Sequence, residues 1–248
     1  MELGLQGRRA AVAAASGGLG FASAKALADE GALVVICGRD RGRIDDAAAA
    51  IGHGCIGLVQ DVADAPGGQA FIAAASEALG GLDIVVANGG GPPAGNFEST
   101  PLDSYATALD LNLLSVVGMA KAIVPAMQAQ GWGRFVAITS LSVRQPMANL
   151  ILSNTARAAV TGFLKTVARE VAKDGVTVNS VQPGLHATNR LLSLYGGDGA
   201  GAAAGIPAGM IGDPADFGGV VTFLCSEQAK FVTGLQLHVD GGAFGGLQ

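Results

Sequence analysis

The sequence predicts an α/β fold, one domain built on a doubly wound and mostly parallel sheet. Three observations carry this expectation. Short apolar runs alternate with longer amphipathic ones along the whole chain. A glycine-rich turn follows the first of those runs. No internal repeat or linker divides the 248 residues, a length within the range of one large α/β domain, so a single domain is expected over 1–248.

Each element has its own reason. Arg9–Ala15 is alanine-rich and weak in strand propensity, and is read as the first strand from its place ahead of the glycine turn. Leu19–Glu30 follows as an amphipathic helix. The runs Leu33–Cys37, Ile56–Val59 and Ile84–Ala87 are short, rich in β-branched residues and apolar without alternation, as expected of strands covered on both faces. Ser104–Gln130 reads as one long helix. Phe135–Thr139 is the fifth strand, Ile151–Ala172 the helix after it, and Val176–Val181 the sixth strand. Pro214–Ser226 reads as a helix opened by proline, and Leu235–Val239 as the closing strand. Between the sixth strand and that helix, Leu185–Gly212 is glycine-rich and shows no strand signal, the pattern of a lid over a site.

Composition narrows the function classes. Charged residues make up 14% of the chain, against roughly 25% in an average soluble protein, while 50% is apolar. Surface buried between copies of the chain is therefore expected. Net charge is −5 with no basic run, which speaks against nucleic acid and anionic membrane as partners. Cys37, Cys55 and Cys225 are scattered and odd in number, so they form neither a disulfide framework nor a metal site. No window holds 18 consecutive apolar residues, and the opening MELGLQGRRA has no long apolar segment after its arginines. A soluble, cytoplasmic protein is expected.

The chemistry begins at Ala13–Gly20, AAASGGLG, between the first strand and its helix. Glycines there let the backbone approach a pyrophosphate, and the helix N-terminus offers free amides and a positive dipole to it. Gly18 and Gly20 stand where that task needs them. The second strand ends at Cys37-Gly38-Arg39-Asp40. An acidic residue at that end would bind the ribose hydroxyls of NAD; a neutral one beside an arginine leaves room for the 2′-phosphate of NADP. Gly38 and Arg39 thus favour NADP over NAD, unless Arg39 is only a solvated charge and Asp40 a helix cap. Asp61, after the third strand, could accept a hydrogen bond from the adenine amino group.

With AAASGGLG, Gln60-Asp61-Val62, VVANGGG (Val85–Gly91), LNLLS (Leu111–Ser115), ITSLS (Ile138–Ser142), VNSVQPG (Val178–Gly184) and VDGG (Val239–Gly242), the chain resembles the short-chain dehydrogenase/reductase superfamily over nearly its whole length. In form it is nearest to the 3-oxoacyl carrier-protein reductases. The resemblance implies a Rossmann-like fold, a dihedral homotetramer, a small-molecule substrate and no metal. It places Ser16, Gly18, Leu19, Gly20, Arg39, Asp61, Val62, Asn88 and Gly89 along the adenosine and pyrophosphate, and Arg157, Pro183, Gly184 and Thr188 toward the nicotinamide. Ala13-Ala14 depart from the family's Thr-Gly, and NGGGPP from its Asn-Asn-Ala-Gly, so the first turn must tolerate a Cβ.

The family's catalytic tetrad is Asn, Ser, Tyr and Lys. Carried over residue by residue, it gives Asn112, which would hold a proton-relay water, and Ser140, which would bind the substrate oxygen. The tyrosine and lysine positions are Ser153 and Arg157, an i,i+4 pair on one helical face. A serine hydroxyl is too weak an acid to replace phenol unaided, and arginine cannot relay a proton. His186, or Tyr195 further along the lid, could supply the proton, and Arg144 could bind an anionic substrate. Three readings stand at this point: an NADP-dependent oxidoreductase of carbonyls and alcohols with a non-standard proton donor, a non-redox enzyme resembling halohydrin dehalogenases, and a catalytically silent dinucleotide-binding subunit.

Overall fold

The computed structural model describes residues 2–189, 191 and 203–247. Strand and helix alternate: β1 (Arg9–Val12), α1 (Gly18–Asp29), β2 (Leu33–Gly38), α2 (Arg41–Ile51), β3 (Ile56–Val59), α3 (Ala65–Leu79) and β4 (Ile84–Ala87) form the first half. The second half runs α4 (Ser104–Leu109), α5 (Ser115–Gln130), β5 (Gly133–Ile138), α6 (Ile151–Val171), β6 (Val176–Pro183), α7 (Pro214–Leu224) and β7 (Gln236–Val239). The strands make one seven-stranded sheet in the order β3-β2-β1-β4-β5-β6-β7, parallel at every pairing. The expected doubly wound sheet is present.

Both faces of the sheet are covered, which is why its strands read as unbroken apolar runs. On one face Phe71 and Ile72 of α3, Met119 and Ile123 of α5, and Val160 and Leu164 of α6 pack over Val85, Phe135 and Val178. On the other, Leu27 of α1, Ile44 of α2, and Phe217 and Val221 of α7 pack over Val34, Ile36, Val86 and Val136. Strand order reverses direction of growth between β1 and β4, and the crevice above that switch point is where such sheets bind ligands.

Three differences from the expected elements bear on the site. β1 stops at Val12, because Ala13 to Ala15 belong to the turn and Ala14 takes a left-handed φ of 47°. β6 runs on to Pro183, held by its pairing with Val239. The expected helix Ser104–Gln130 is interrupted by a π turn at Asp110–Leu114. That stretch is long and apolar enough to cross a membrane by length and composition, with 50% of its apolar window buried; here α5 packs against α3 and β5. Parts of the expected lid, and Tyr195 within it, lie outside the described residues.

Candidate active site

The C-terminal ends of β1 and β4 are joined by one side chain. Asn88 Nδ2 donates to the carbonyls of Ala13, at 3.2 Å, and Ala14, at 3.1 Å. A Cβ on Gly20 would stand 2.6 Å from that same Nδ2, so only glycine lets α1 come this close to β4. Gly18, at φ 60°, opens the helix, and Thr188 from beyond β6 lies over it, 3.7 Å from where a Cβ would project. The Cys37 thiol accepts from the Ala14 amide at 3.4 Å, and burial pushes this thiol up to about 12. It is a neutral support of the turn. Ser16, Gly18, Gly20, Asn88 and Thr188 are thus brought together around a helix N-terminus with free amides, the cradle a pyrophosphate needs.

A cavity of about 390 Å³ opens beside this turn, lined by Ser16, Gly17, Phe21, Arg43, Asp46 and Ala47. Gly38 packs nearby: a Cβ there would come within 3.3 Å of Ser16, which lines the cavity, and of Ile44. Asp40 is the N-cap of α2, its carboxylate accepting from the Arg43 amide at 2.8 Å. Arg39 is exposed on the turn before it. The cation lining the cavity is Arg43, which the sequence reading missed although it lies in the first turn of the helix that Asp40 caps. A second cavity, of about 390 Å³, is lined by Gln60, Asp61, Ala63, Asp64, Pro66 and Gly67. Asp61 is exposed there and bonds the Ala63 amide at 3.1 Å, while Val62 is buried in the core.

The reacting end lies over β4, β5 and β6. The π turn carries Asn112, whose Nδ2 donates to the Gly90 carbonyl at 2.9 Å. π turns cluster at functional positions because the extra residue re-aims a side chain. Asn112 is only 4% exposed, and its Oδ1 has no hydrogen-bond partner. Gly89 lies partly buried next to Gly90. Ser140 follows β5 in extended backbone, its Oγ accepting from the Ser142 amide at 3.1 Å. Ser153 and Arg157 occupy successive turns of α6; Ser153 is 8% exposed, and Arg157 Nη1 donates to the Ile138 carbonyl at 3.1 Å. The guanidinium therefore braces the end of β5 two residues before Ser140. Pro183 ends β6, and Gly184 packs so tightly that a Cβ would stand 2.8 Å from the Asp240 backbone.

His186 sits differently from the sequence expectation. Its ring is buried edge-on against Phe217, with centroids 5.1 Å apart and planes at 79°. Nδ1 faces the Gly184 carbonyl at 3.3 Å, and a Cβ on Gly212 would collide with the ring. Burial lowers its pKa, outweighing the Gly184 bond and the charges of Asp213 and Asp216. A neutral, packed imidazole is a poor acid at neutral pH, so these contacts make His186 a packing residue of the β6–α7 junction. Arg144 is exposed beyond the Leu141–Val143 turn. Among the described residues no group of three or more histidine, cysteine or acidic side chains could hold a metal.

A family model described as enoyl-(acyl carrier protein) reductase matches residues 13–243. The 3-oxoacyl-[acyl-carrier-protein] reductase FabG of Vibrio harveyi is 32% identical over 242 residues, spanning 98% of this chain and 99% of its own. Dehydrogenase/reductase SDR family member 4 of Homo sapiens is 33% identical over 244 residues, 96% of this chain and 88% of its own. L-sorbose reductase from Gluconobacter frateurii, solved in complex with NADPH and L-sorbose, shares the fold with a TM-score of 0.91 and 30% identity over 100% of both chains.

Proposed function

The chain belongs to the short-chain dehydrogenase/reductase superfamily, and from that premise we propose that it is an NADP-dependent oxidoreductase interconverting a carbonyl and an alcohol with a non-standard proton donor. The observation that carries this reading is the survival of the site around an exchanged pair. The pyrophosphate cradle, the π-turn Asn112 and Ser140 remain at the C-terminal edge of the sheet, while the family's tyrosine and lysine positions hold Ser153 and Arg157.

The cradle fits the dinucleotide, since Gly20 leaves the space that a Cβ would fill and Gly38 leaves room beside Ser16. Ser16, Gly18, Leu19 and Gly20 would hold the pyrophosphate, Arg39 and Arg43 the 2′-phosphate, Asp61, Val62, Asn88 and Gly89 the adenosine, and Pro183, Gly184 and Thr188 the nicotinamide end. When bound, the cofactor supplies or accepts the hydride. Ser140 binds the reacting oxygen and orients it. Arg157 keeps Ser140 in place through the Ile138 carbonyl and presents a fixed positive charge to developing negative charge on that oxygen. Neither Ser153 nor Arg157 has a pKa suited to proton transfer near neutrality. The proton donor is therefore a group other than this pair.

The test is NADPH oxidation over a panel of ketones, hydroxyketones and a 3-oxoacyl thioester, with L-sorbose included because the Gluconobacter frateurii enzyme was solved with it. Slow but measurable turnover is expected, lost in Ser140→Ala and little changed in His186→Phe. Tight NADPH binding without turnover on any carbonyl would favour the silent-subunit reading. Halide release from a halohydrin without dinucleotide would favour the dehalogenase one.

A further inference from the structure

The turn from β1 into α1 is gripped from both sides. Asn88, just past β4, donates through Nδ2 to the carbonyls of Ala13 and Ala14. Cys37, on β2, takes the amides of the next two residues: its Sγ accepts from Ala14 at 3.4 Å, and its carbonyl accepts from Ala15 at 2.9 Å. The Ala13 amide goes to the Val86 carbonyl at 3.0 Å. Backbone carbonyls of the flanking strands thus serve Ala13 and Ala15, but not the residue between them. Ala14, at φ 47°, has turned its amide out of the ladder, and among the described residues its acceptor is the Cys37 thiol.

That bond falls where the turn is least content. Ala14 carries a Cβ at a position where the family has glycine, and an alanine stays left-handed only while its surroundings hold it there. Released from that φ, it would carry with it Ser16, Gly17 and Gly18, the residues that lead into α1. A buried thiol has the right chemistry for the task. Cys37 is 0% exposed, and because burial keeps it protonated it puts no negative charge beneath a pyrophosphate. Sulfur also has a longer bond to Cβ and a larger radius than oxygen, so it spans a distance at which a serine hydroxyl would fall short.

We propose that Cys37 is a positioning residue for the dinucleotide: through the Ala14 amide it holds a left-handed alanine in place, and so fixes the start of α1 against the pyrophosphate. The inference deepens the oxidoreductase reading above and rests on its cofactor site. It makes Cys37 and Ala14 a coupled pair. In Ala14→Gly the left-handed φ needs no support, so the contribution of the thiol to binding should shrink. Cys37 also packs in the core cluster with Val35 and Phe71, but a side chain that only filled that core would count the same beside alanine or glycine.

The test is calorimetric titration with NADPH of the wild type, Cys37→Ala, Ala14→Gly and the double variant. Cys37→Ala alone should raise the dissociation constant by about fivefold or more, the loss of one hydrogen bond. In the Ala14→Gly background the same change should raise it by less than about twofold. Cys37→Val repeats the comparison with a side chain that keeps the core filled but accepts no bond. Cys225→Ala is the control, since it removes another buried thiol, beside Arg134; Tm should fall while NADPH binding stays within about twofold. Equal costs in the two backgrounds overturn the proposal and leave the cofactor reading standing, as does a loss of binding in Cys225→Ala as large as that in Cys37→Ala. Should both single Cys37 variants fail to fold, folding and NADPH binding recovered in the Ala14→Gly background support the proposal, and continued failure there overturns it. A wild type that binds neither NADPH nor NADH overturns the reading beneath, and the proposal with it.

Discussion

Replacing Ala14 by glycine should stabilise the protein, although glycine usually does the reverse. Ala14 is a non-glycine residue at φ 47°, in a turn whose carbonyl and amide are both engaged, by Asn88 and Cys37. A left-handed alanine costs about 1–2 kcal/mol in steric conflict. Glycine removes that cost but adds unfolded-chain entropy worth about 0.4–1 kcal/mol. The difference is a net gain of roughly 0.5–1 kcal/mol, and for a chain of this size that raises Tm by about 1–4 °C. Ala13→Gly is the control: Ala13 is fully buried and does not share the positive φ, so it should lose stability. Differential scanning calorimetry on both variants reads the sign directly. A fall in Tm for Ala14→Gly as large as that for Ala13→Gly would show that the turn is unstrained. The same relaxation should leave NADPH binding as tight as in the wild type or tighter.

Calorimetric titration should show NADPH binding more tightly than NADH, with Arg43→Ala removing more of that preference than Arg39→Ala. Calorimetry is preferred to tryptophan quenching because Trp132 lies at the opposite edge of the sheet, bonded to Glu227 and packed under Arg8 and Arg134. Asp83→Asn should cost about 2 kcal/mol at neutral pH, since its carboxylate accepts from the amide, Nε and Nη2 of Arg9. Burial pushes the Asp83 pKa up, but the Arg9 bonds overcome it and hold the pKa below the ordinary carboxylate value. The stabilisation is therefore complete above about pH 4 and lost as pH falls through the lower folded value, so the two Tm curves should converge in acid. Light scattering should find a closed symmetric oligomer, for which Phe223 in α7, and Phe231 and Leu235 between α7 and β7, are exposed apolar residues available for burial. A monomer at micromolar concentration would refute this.

Most of the fold was legible because each strand is a short apolar run and each helix an amphipathic one, and β3 and β4 have the expected bounds. β1 was overextended because the alanines of Ala13–Ala15 look alike whether in strand or turn; only the backbone reveals that Ala14 has left the ladder. The π turn at Asp110–Leu114 was invisible for a related reason, since a single inserted residue does not change the composition of a helix. The glycine turn could be read because spacing from a strand end fixes its place, and Asn88 and Ser140 were readable through the motifs of the family resemblance. Arg43 and the turn-holding Cys37 were readable in neither way. Their relevance lies in contacts between elements distant in sequence, and from its neighbours alone each looks like an ordinary helix or strand residue. His186 misled in the opposite direction, because its position in a loop after β6 gave no sign of the Phe217 ring against it.

The exchanged pair on α6 can be separated into its two halves. Arg157 bonds the Ile138 carbonyl through one arm of a planar fork, whereas lysine is a point charge on a flexible stem and would not brace β5 in the same way. Arg157→Lys alone should therefore weaken turnover, for it removes the brace while Ser153 still offers no acid. Ser153→Tyr alone adds a phenol beside a guanidinium, whose charge favours the phenolate but cannot pass a proton on. Only the double variant restores both acid and ammonium, and general acid catalysis is worth about 10²–10⁴-fold. The prediction is thus a coupling: the double variant should reduce a plain ketone faster than the product of the two single effects allows. Additive effects across the cycle would mean that Ser153 and Arg157 do not act on the same reacting oxygen, and the reading of α6 as the altered catalytic helix would fall with them.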